Sequence, residues 1–359
     1  MAENSITSVS KEDLKGLNFL KTVDLSNNQL TDGGLPAGTF ENLPSFSDLD
    51  LSYNEKFDNF PTHLPGNLKT FSFVFNKATH VTERTFSNLT ELVHLDISNN
   101  QLESIAPGGF KDLRNLGTLD IGFNPIRQDG IPASVFKPAN RLQTLGLRSA
   151  QLPRVPLDLP GSLQDLDLAL NLITELPPHI FSNLTDLQYL SLWLQPSLTR
   201  IHDDAFRGLG KLQVLYANSC GVDSVTNSTF NGLSGVRSVD LGSGKITHLP
   251  AGAFHQMGNL KSLRLEQNQL TTLEASVLDT RTLPRLSEVQ LWGNPWTCDC
   301  HLRWLKEHVD NNNTAPTVSY PYLMTCSAPL RLQGRAWDAL TPDDFVCGDR
   351  HLKTVNRTS

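Results

Sequence analysis

At 359 residues with 38% hydrophobic content, the chain is long enough for one large domain or two ordinary ones, and its formal net charge is −7 with no basic block. That balance excludes a general grip on phosphate backbones or anionic membranes, both of which need clustered Lys and Arg, so no nucleic-acid partner is expected. The sequence holds no apolar run of about 18 residues and no charged-then-apolar leader, so a soluble body is expected.

From the first residues onward a frame L-x-x-L-x-L-x-x-N recurs, filled by Leu20, Val23, Leu25 and Asn28, by Leu92, Leu95, Ile97 and Asn100, and by Leu260, Leu263, Leu265 and Asn268. Twelve copies place Asn28, Asn54, Asn76, Asn100, Asn124, Ala150, Asn171, Gln195, Cys220, Gly244, Asn268 and Asn294 at the Asn position, 21 to 26 residues apart. This is the signature of leucine-rich repeats, and it predicts an α/β fold: a curved solenoid with a parallel sheet on its concave face. Asn4 stands 24 residues before Asn28, and "NSITSV" falls in phase with "NNQLTD", so the chain opens in a partial repeat. Either a cap and signal peptide precede it in the native chain, which is the expectation, or this segment is itself a minimal polar cap.

Within L-x-L the leucines point inward and the residue between them faces out. Stacking about twelve strands at roughly 4.8 Å predicts an inner curve on the order of 50 Å long. A second apolar series, Phe40, Phe86, Phe110, Phe136, Phe181, Phe206, Phe230 and Phe254, closes the outer side as core. "FDNFPTHLPGNLKTF" and "QLPRVPLDLPGSLQDL" are shorter, lack that Phe and carry prolines, which predicts an extended arc and uneven curvature there.

The outward residues run Asp24, Asp50, Ser72, Asp96, Asp120, Gly146, Asp167, Ser191, Tyr216, Asp240, Arg264 and Gln290, acidic in the amino half. Acidic groups keep a sheet face soluble. Against them, "LQYLSLWLQPSLTRI" breaks the pattern with Gln195 in the Asn position and Trp193 beside it. Tyr189, Trp193, Leu194, Tyr216 and Leu170 are expected to form an exposed apolar patch with Arg148, Asp165, Asp167 and Asn218 around it, the make-up of an interface hot spot. The competing reading turns Trp193 and Leu194 inward to fill space. Tyr53, Phe75 and Phe123, each just before the Asn position, are a second candidate, equally open to packing or binding. The departures at 150, 195, 220 and 244 are expected to loosen the Asn ladder locally.

Five N-x-S/T sequons, at Asn88, Asn183, Asn227, Asn312 and Asn356, predict glycosylation and export, the first three lying off the strands. Cys220 is expected as a buried free thiol. The ten histidines are scattered with no catalytic motif, and the paired aspartates at Asp203 and Asp343 lack further oxygen ligands, so neither an enzyme nor a cofactor or metal site is expected.

The carboxy end carries "NPWTCDCHLRWL" and "CSAPLRLQGRAWDALTPDDFVC". Four cysteines allow three connectivities, and C-x-C followed by His301 lacks the paired knuckles of a structural zinc site. These segments resemble the cysteine-containing carboxy-terminal cap of secreted and cell-surface leucine-rich-repeat proteins. The resemblance implies Cys298 paired with Cys326, Cys300 with Cys347, and an extracellular location. It divides the chain into repeats over 1–293, a cap over 294–348 and a flexible tail over 349–359. The whole is similar to Toll-type receptor ectodomains and variable lymphocyte receptors, which implies a recognition receptor for a microbial or protein ligand, any membrane anchor lying outside this chain. The cap segment departs from the lymphocyte receptors toward Slit-like adhesion proteins, and the short repeats resemble those of small proteoglycans, which implies an adhesion or matrix protein as the alternative.

Overall fold

The structure is a computed structural model describing residues 1–127, 129–311 and 315–347, so Asn312, Asn356 and the 349–359 tail lie outside the described residues. Thirteen three-residue strands, from Thr22–Asp24 to Thr317–Ser319, form one parallel sheet in chain order. Every strand pairs with its neighbours at equivalent residues: Tyr189 lies opposite Asp165 on one side and Val214 on the other. The middle residue of each is buried, as the L-x-L alternation requires. The expected solenoid is therefore present, with two differences.

The first is helix content. Among the described residues the only α-helix is Arg303–Asp310, in the cap; the outer arcs are turns, with a 3-10 helix at Ala275–Leu278 and two short parallel pairs, His80–Val81 on Ser104–Ile105 and Glu175–Leu176 on Arg200–Ile201. The second is the thirteenth strand. Thr317–Ser319 follows the helix and pairs with Glu288–Gln290, so the cap extends the sheet through a segment that lacks the leucine frame.

The outer core is a ladder of rings. Phe86, Phe110 and Phe136 stack at 6.1 and 6.0 Å, and Phe181, Phe206, Phe230 and Phe254 at 6.2, 6.1 and 5.6 Å. The short repeats interrupt it. In the first, Phe60 takes up the role from a different register, edge-on to Phe86 at 5.3 Å; in the second, Leu159 fills the place.

Inside the turns, each Asn ties two repeats together. Asn268 Nδ2 donates to Leu241 O at 2.8 Å and Leu265 O at 3.2 Å, while its Oδ1 accepts from Ile246 N at 3.0 Å. Two of the four departures, Ala150 and Gly244, have no side-chain donor or acceptor, but the other two weaken this ladder less than the sequence suggests. Gln195 Nε2 still reaches Leu168 O at 3.1 Å, and Cys220 Sγ reaches Leu192 O at 3.3 Å. At Gln195 the acceptor half is lost, its Oε1 buried without a partner. Gly244 leaves space that Asn268 fills, since a Cβ there would meet Asn268 Oδ1 at 2.7 Å. Cys220 is a free buried thiol, its pKa pushed up to about 12 by burial.

The cap closes the end of the sheet through disulfides Cys298–Cys326 and Cys300–Cys347, with Cα separations of 5.6 and 5.0 Å. Both bonds match the pairing implied by the family resemblance. Beneath them Trp337 is buried against Trp296 at 6.4 Å and Phe345 at 5.2 Å. Cys300, His301 and Cys347 lie close together, but both sulfurs are held in the disulfide, so the trio lacks a zinc site's thiolates.

Candidate binding surface on the concave face

Most of the acidic row proves to be structural. Oδ1 of Asp24, Asp50, Asp96, Asp120, Asp167 and Asp240 each accepts the backbone N–H two residues on, at 2.8 to 3.0 Å. These are Asx turns that bend the chain off the strand. The sequence carried their signal, an Asp followed two positions later by Ser, Gly or Ala, in "DLS", "DIS", "DIG", "DLA" and "DLG". Two carboxyls sit under electrostatic load. Burial pushes the pKa of Asp120 up, against the Gly122 N–H, with Asp96 and Asp167 adding repulsion; burial and then Asp167 push Asp165 up.

After the Asx turn comes a residue with left-handed backbone. Asn27, Tyr53, Phe75, Asn99, Phe123, Ser149, Leu170, Leu194, Ser219, Ser243, Gln267 and Gly293 all have φ between 53 and 71°. Because the conformation recurs in every repeat, it belongs to the fold rather than to a site. Five copies place a large apolar side chain there, and of these Tyr53, Phe75, Phe123 and Leu194 are exposed. Tyr53 and Phe75 stack at 4.6 Å.

Arg148 joins the two candidate patches. Its guanidinium carbon lies 4.5 Å from the Trp193 ring centroid and 5.7 Å from that of Phe123, two cation–π contacts on one side chain. Trp193 stands two strands away, about 10 Å in a parallel sheet. Between them the equivalent residue is the small, buried Ala169, and the arginine crosses over it. Arg148 Nε is buried there without a hydrogen-bond partner. Sequence reasoning placed Arg148 on the rim; the signal it missed was the small residue between Arg148 and Trp193 in one row.

The remaining predicted residues fall around this clip. Trp193 is half-buried and Leu194 exposed, so neither turns into the interior; Gln195 is the residue that does. Tyr189 and Tyr216 are 44% and 45% exposed, enough for both rings to offer a face to a partner. They sit on a diagonal, since Ser191 lies opposite Tyr216 and Val214 opposite Tyr189. Leu170, Asn218 and Asp167 are half-buried, the last with its Oδ1 committed to Ala169 N at 2.9 Å. Toward the carboxy end Arg264 pairs with Glu266 at 2.6 Å and Asp240 at 3.3 Å, which sets a polar boundary. Asn88, Asn183 and Asn227 are exposed and lie off the strands of the concave sheet.

The leucine rich repeat family matches residues 1–56, 66–126, 161–222, 217–270 and 234–295. Podocan of Mus musculus is 29% identical over 342 residues, covering 82% of this chain and 55% of podocan. CD180 antigen of Homo sapiens is 27% identical over 368 residues, covering 91% of this chain and 53% of the antigen. The chain thus spans about half the length of these curated relatives. Among solved structures, a chain of the octameric complex of Latrophilin 3 (Lec, Olf), Unc5D (Ig, Ig2, TSP1) and FLRT2 (LRR) superposes with a TM-score of 0.66 at 23% identity, covering 90% of this chain and 89% of that one. That likeness is one of fold. With the repeat frame, the solenoid and family matches over more than half of the sequence in agreement, the chain belongs to the leucine-rich-repeat family.

Proposed function

We propose that this chain is an extracellular recognition module that holds a protein or microbial surface ligand against its concave face, as a receptor does, rather than an enzyme. The observation that carries the reading is the Phe123–Arg148–Trp193 clip, which ties two groups of exposed aromatics into one surface continued by Tyr189, Leu194 and Tyr216. Rigid, half-exposed aromatic and arginine side chains supply large contact area at small entropic cost, the profile of interface anchors. Carboxylates of Asp165 and Asp167 beside them favour a partner with cationic groups at its rim. The disulfides support an oxidising, extracellular setting.

A second reading, an adhesion or matrix protein, is supported by the two short proline-bearing repeats and the similarity to podocan over 82% of the chain. Both readings use the same surface. The test is a binding screen of the folded chain against microbial surface components and against host surface and matrix proteins, repeated with Tyr189→Ala, Trp193→Ala and Tyr216→Ala combined. Loss of about 2 kcal/mol or more is expected if these are anchors. Unchanged affinity in a folded triple variant would reject the surface, and the class of protein captured separates the two readings.

A further inference from the structure

The two short repeats share more than length. "LPGNL" at residues 64–68 and "LPGSL" at 159–163 are each followed, 22 residues after the glycine, by the asparagine of an identical "FSNLT", with sequons at Asn88 and Asn183. The spatial relation is the same as well: a Cβ on Gly66 would meet Asn88 O at 3.0 Å, and one on Gly161 would meet Asn183 O at 3.0 Å. Each short repeat therefore presses its glycine on the backbone that bears a sequon.

Beyond that contact the two differ. At the second short repeat the missing outer turn leaves an open groove of about 520 Å³, lined by Lys137, Asn140, Asp158, Leu159, Pro160, Gly161 and Asn183. Its floor is Leu159 and Pro160, both buried; Lys137, Asn140 and Asn183 stand exposed on the walls. A groove beside the first short repeat is lined by Asp32, Phe60, Pro61, His80, Arg84 and their neighbours and does not include Asn88. Asn227 follows a full-length repeat, and its Oδ1 accepts from Gly252 N at 3.2 Å, so its amide rests on the next repeat rather than in a groove.

We propose that Asn183 carries an N-linked glycan whose first N-acetylglucosamine is seated in this groove, whereas glycans on Asn88 and Asn227 are not seated in this way. In the transfer, Nδ2 of Asn183 forms a bond to the anomeric carbon of a lipid-linked oligosaccharide as the bond from that carbon to the lipid diphosphate breaks. The amide proton passes to a base of the transferase and the diphosphate leaves as an anion. Once attached, the sugar begins inside the groove, because the asparagine is part of its wall. The apolar face of a pyranose covers Leu159 and Pro160, and its hydroxyls and N-acetyl group meet the amide of Asn140 and the ammonium of Lys137. The seated sugar lies away from the concave strands, leaving the binding surface open.

The inference rests on the extracellular reading, and one experiment separates the two. The full chain is expressed in a secretory eukaryotic host, and the native glycoprotein is treated with an amidase that cleaves the glycosyl–asparagine bond. Release is followed at each site by the Asn-to-Asp mass change. Asn183 is expected to release about tenfold more slowly than Asn88 and Asn227, one decade in the population of an open state, and at the same rate once unfolded and reduced. The Lys137→Ala, Asn140→Ala double variant, altered only at exposed positions, is expected to raise the Asn183 rate toward the others. An unmodified Asn183 beside modified Asn88 and Asn227, equal native rates, or a slow rate that persists in the double variant each overturns the seated glycan alone. A chain that is retained and unmodified at every sequon overturns the extracellular reading with it.

Discussion

At the scale of the residue, the same side chain does different work according to what lies beside it. Asp24 and Asp120 both close Asx turns, yet the Ser26 hydroxyl and N–H hold Asp24 below the ordinary carboxylate value of 3.8, while burial pushes Asp120 above it. A carboxyl whose pKa is raised by folding costs stability when ionised. That cost is fully present above the folded pKa, is relieved as pH falls through it, and is absent below 3.8. Asp120→Asn keeps an oxygen to accept the Gly122 N–H, now 2.8 Å away, and removes the charge. The variant is therefore expected to melt at a higher temperature than the parent at pH 7, with the gain shrinking on acidification and gone below the ordinary carboxylate range. A melting temperature at or below the parent's at pH 7 would show that the carboxylate is solvated better than its burial implies. Arg148 makes the complementary point: an unpaired guanidinium nitrogen is tolerated because two ring faces take the charge.

At the scale of the element, the unit of stability is the joint between two repeats. Asn268→Ala removes three donated contacts, to Leu241, Leu265 and Glu266 O, and leaves Ile246 N–H buried without an acceptor, a loss of about 1–3 kcal/mol. Gln195→Ala removes one donated bond, to Leu168 O, and an acceptor that already lacks a partner, so its cost is expected to be the smaller of the two. Chemical denaturation of both variants ranks them, and equal losses would mean that neither the acceptor half nor the extra donated contacts of Asn268 contribute. The joint also explains how far the sequence could be read. Leucine frame, Asn position and Phe spine were legible because each is written within one copy and repeated. The Arg148 clip was not, because it is a relation among three copies, residues 148, 169 and 193, visible only when the copies are aligned by row and their sizes compared. Nor was the strand Thr317–Ser319, which has no leucine frame and owes its pairing to the cap folding back on the sheet. The arcs were misjudged in degree: proline marked two as extended, but among the described residues the others also lack α-helix, and only the arc with the 3-10 turn Ala275–Leu278 is helical at all, since a turn is enough to bring each Phe onto the next.

At the scale of the molecule, contacts join neighbours, with Arg148 reaching across one repeat to Trp193 as a local exception, so the ends decide how unfolding begins. The carboxy end is held by a buried disulfide, Cys298–Cys326, beside Trp296 and Trp337, which themselves cover the last repeat and anchor its edge strand. Replacing Cys298 and Cys326 by Ala removes a crosslink of 28 residues and two buried sulfurs, and about 2–5 kcal/mol of stability with them. In a three-dimensional globule that loss would spread through one core. In a stack it lowers the cost of opening the terminal repeats first, and the effect decays along the sheet as each intact joint is reached. Hydrogen exchange on the double variant is therefore expected to show lost protection at Ser262–Arg264, Glu288–Gln290 and Thr317–Ser319, with amides at Thr118–Asp120 and Thr144–Gly146 retaining the parent's rates. The concave aromatic surface lies between these regions, so a ligand held by Trp193 and Tyr216 should restore part of the protection on its carboxy-terminal side by stabilising the joints it bridges. Uniform acceleration across all the strands would mean that the solenoid opens as a single cooperative unit and that its cap guards the whole molecule rather than one end.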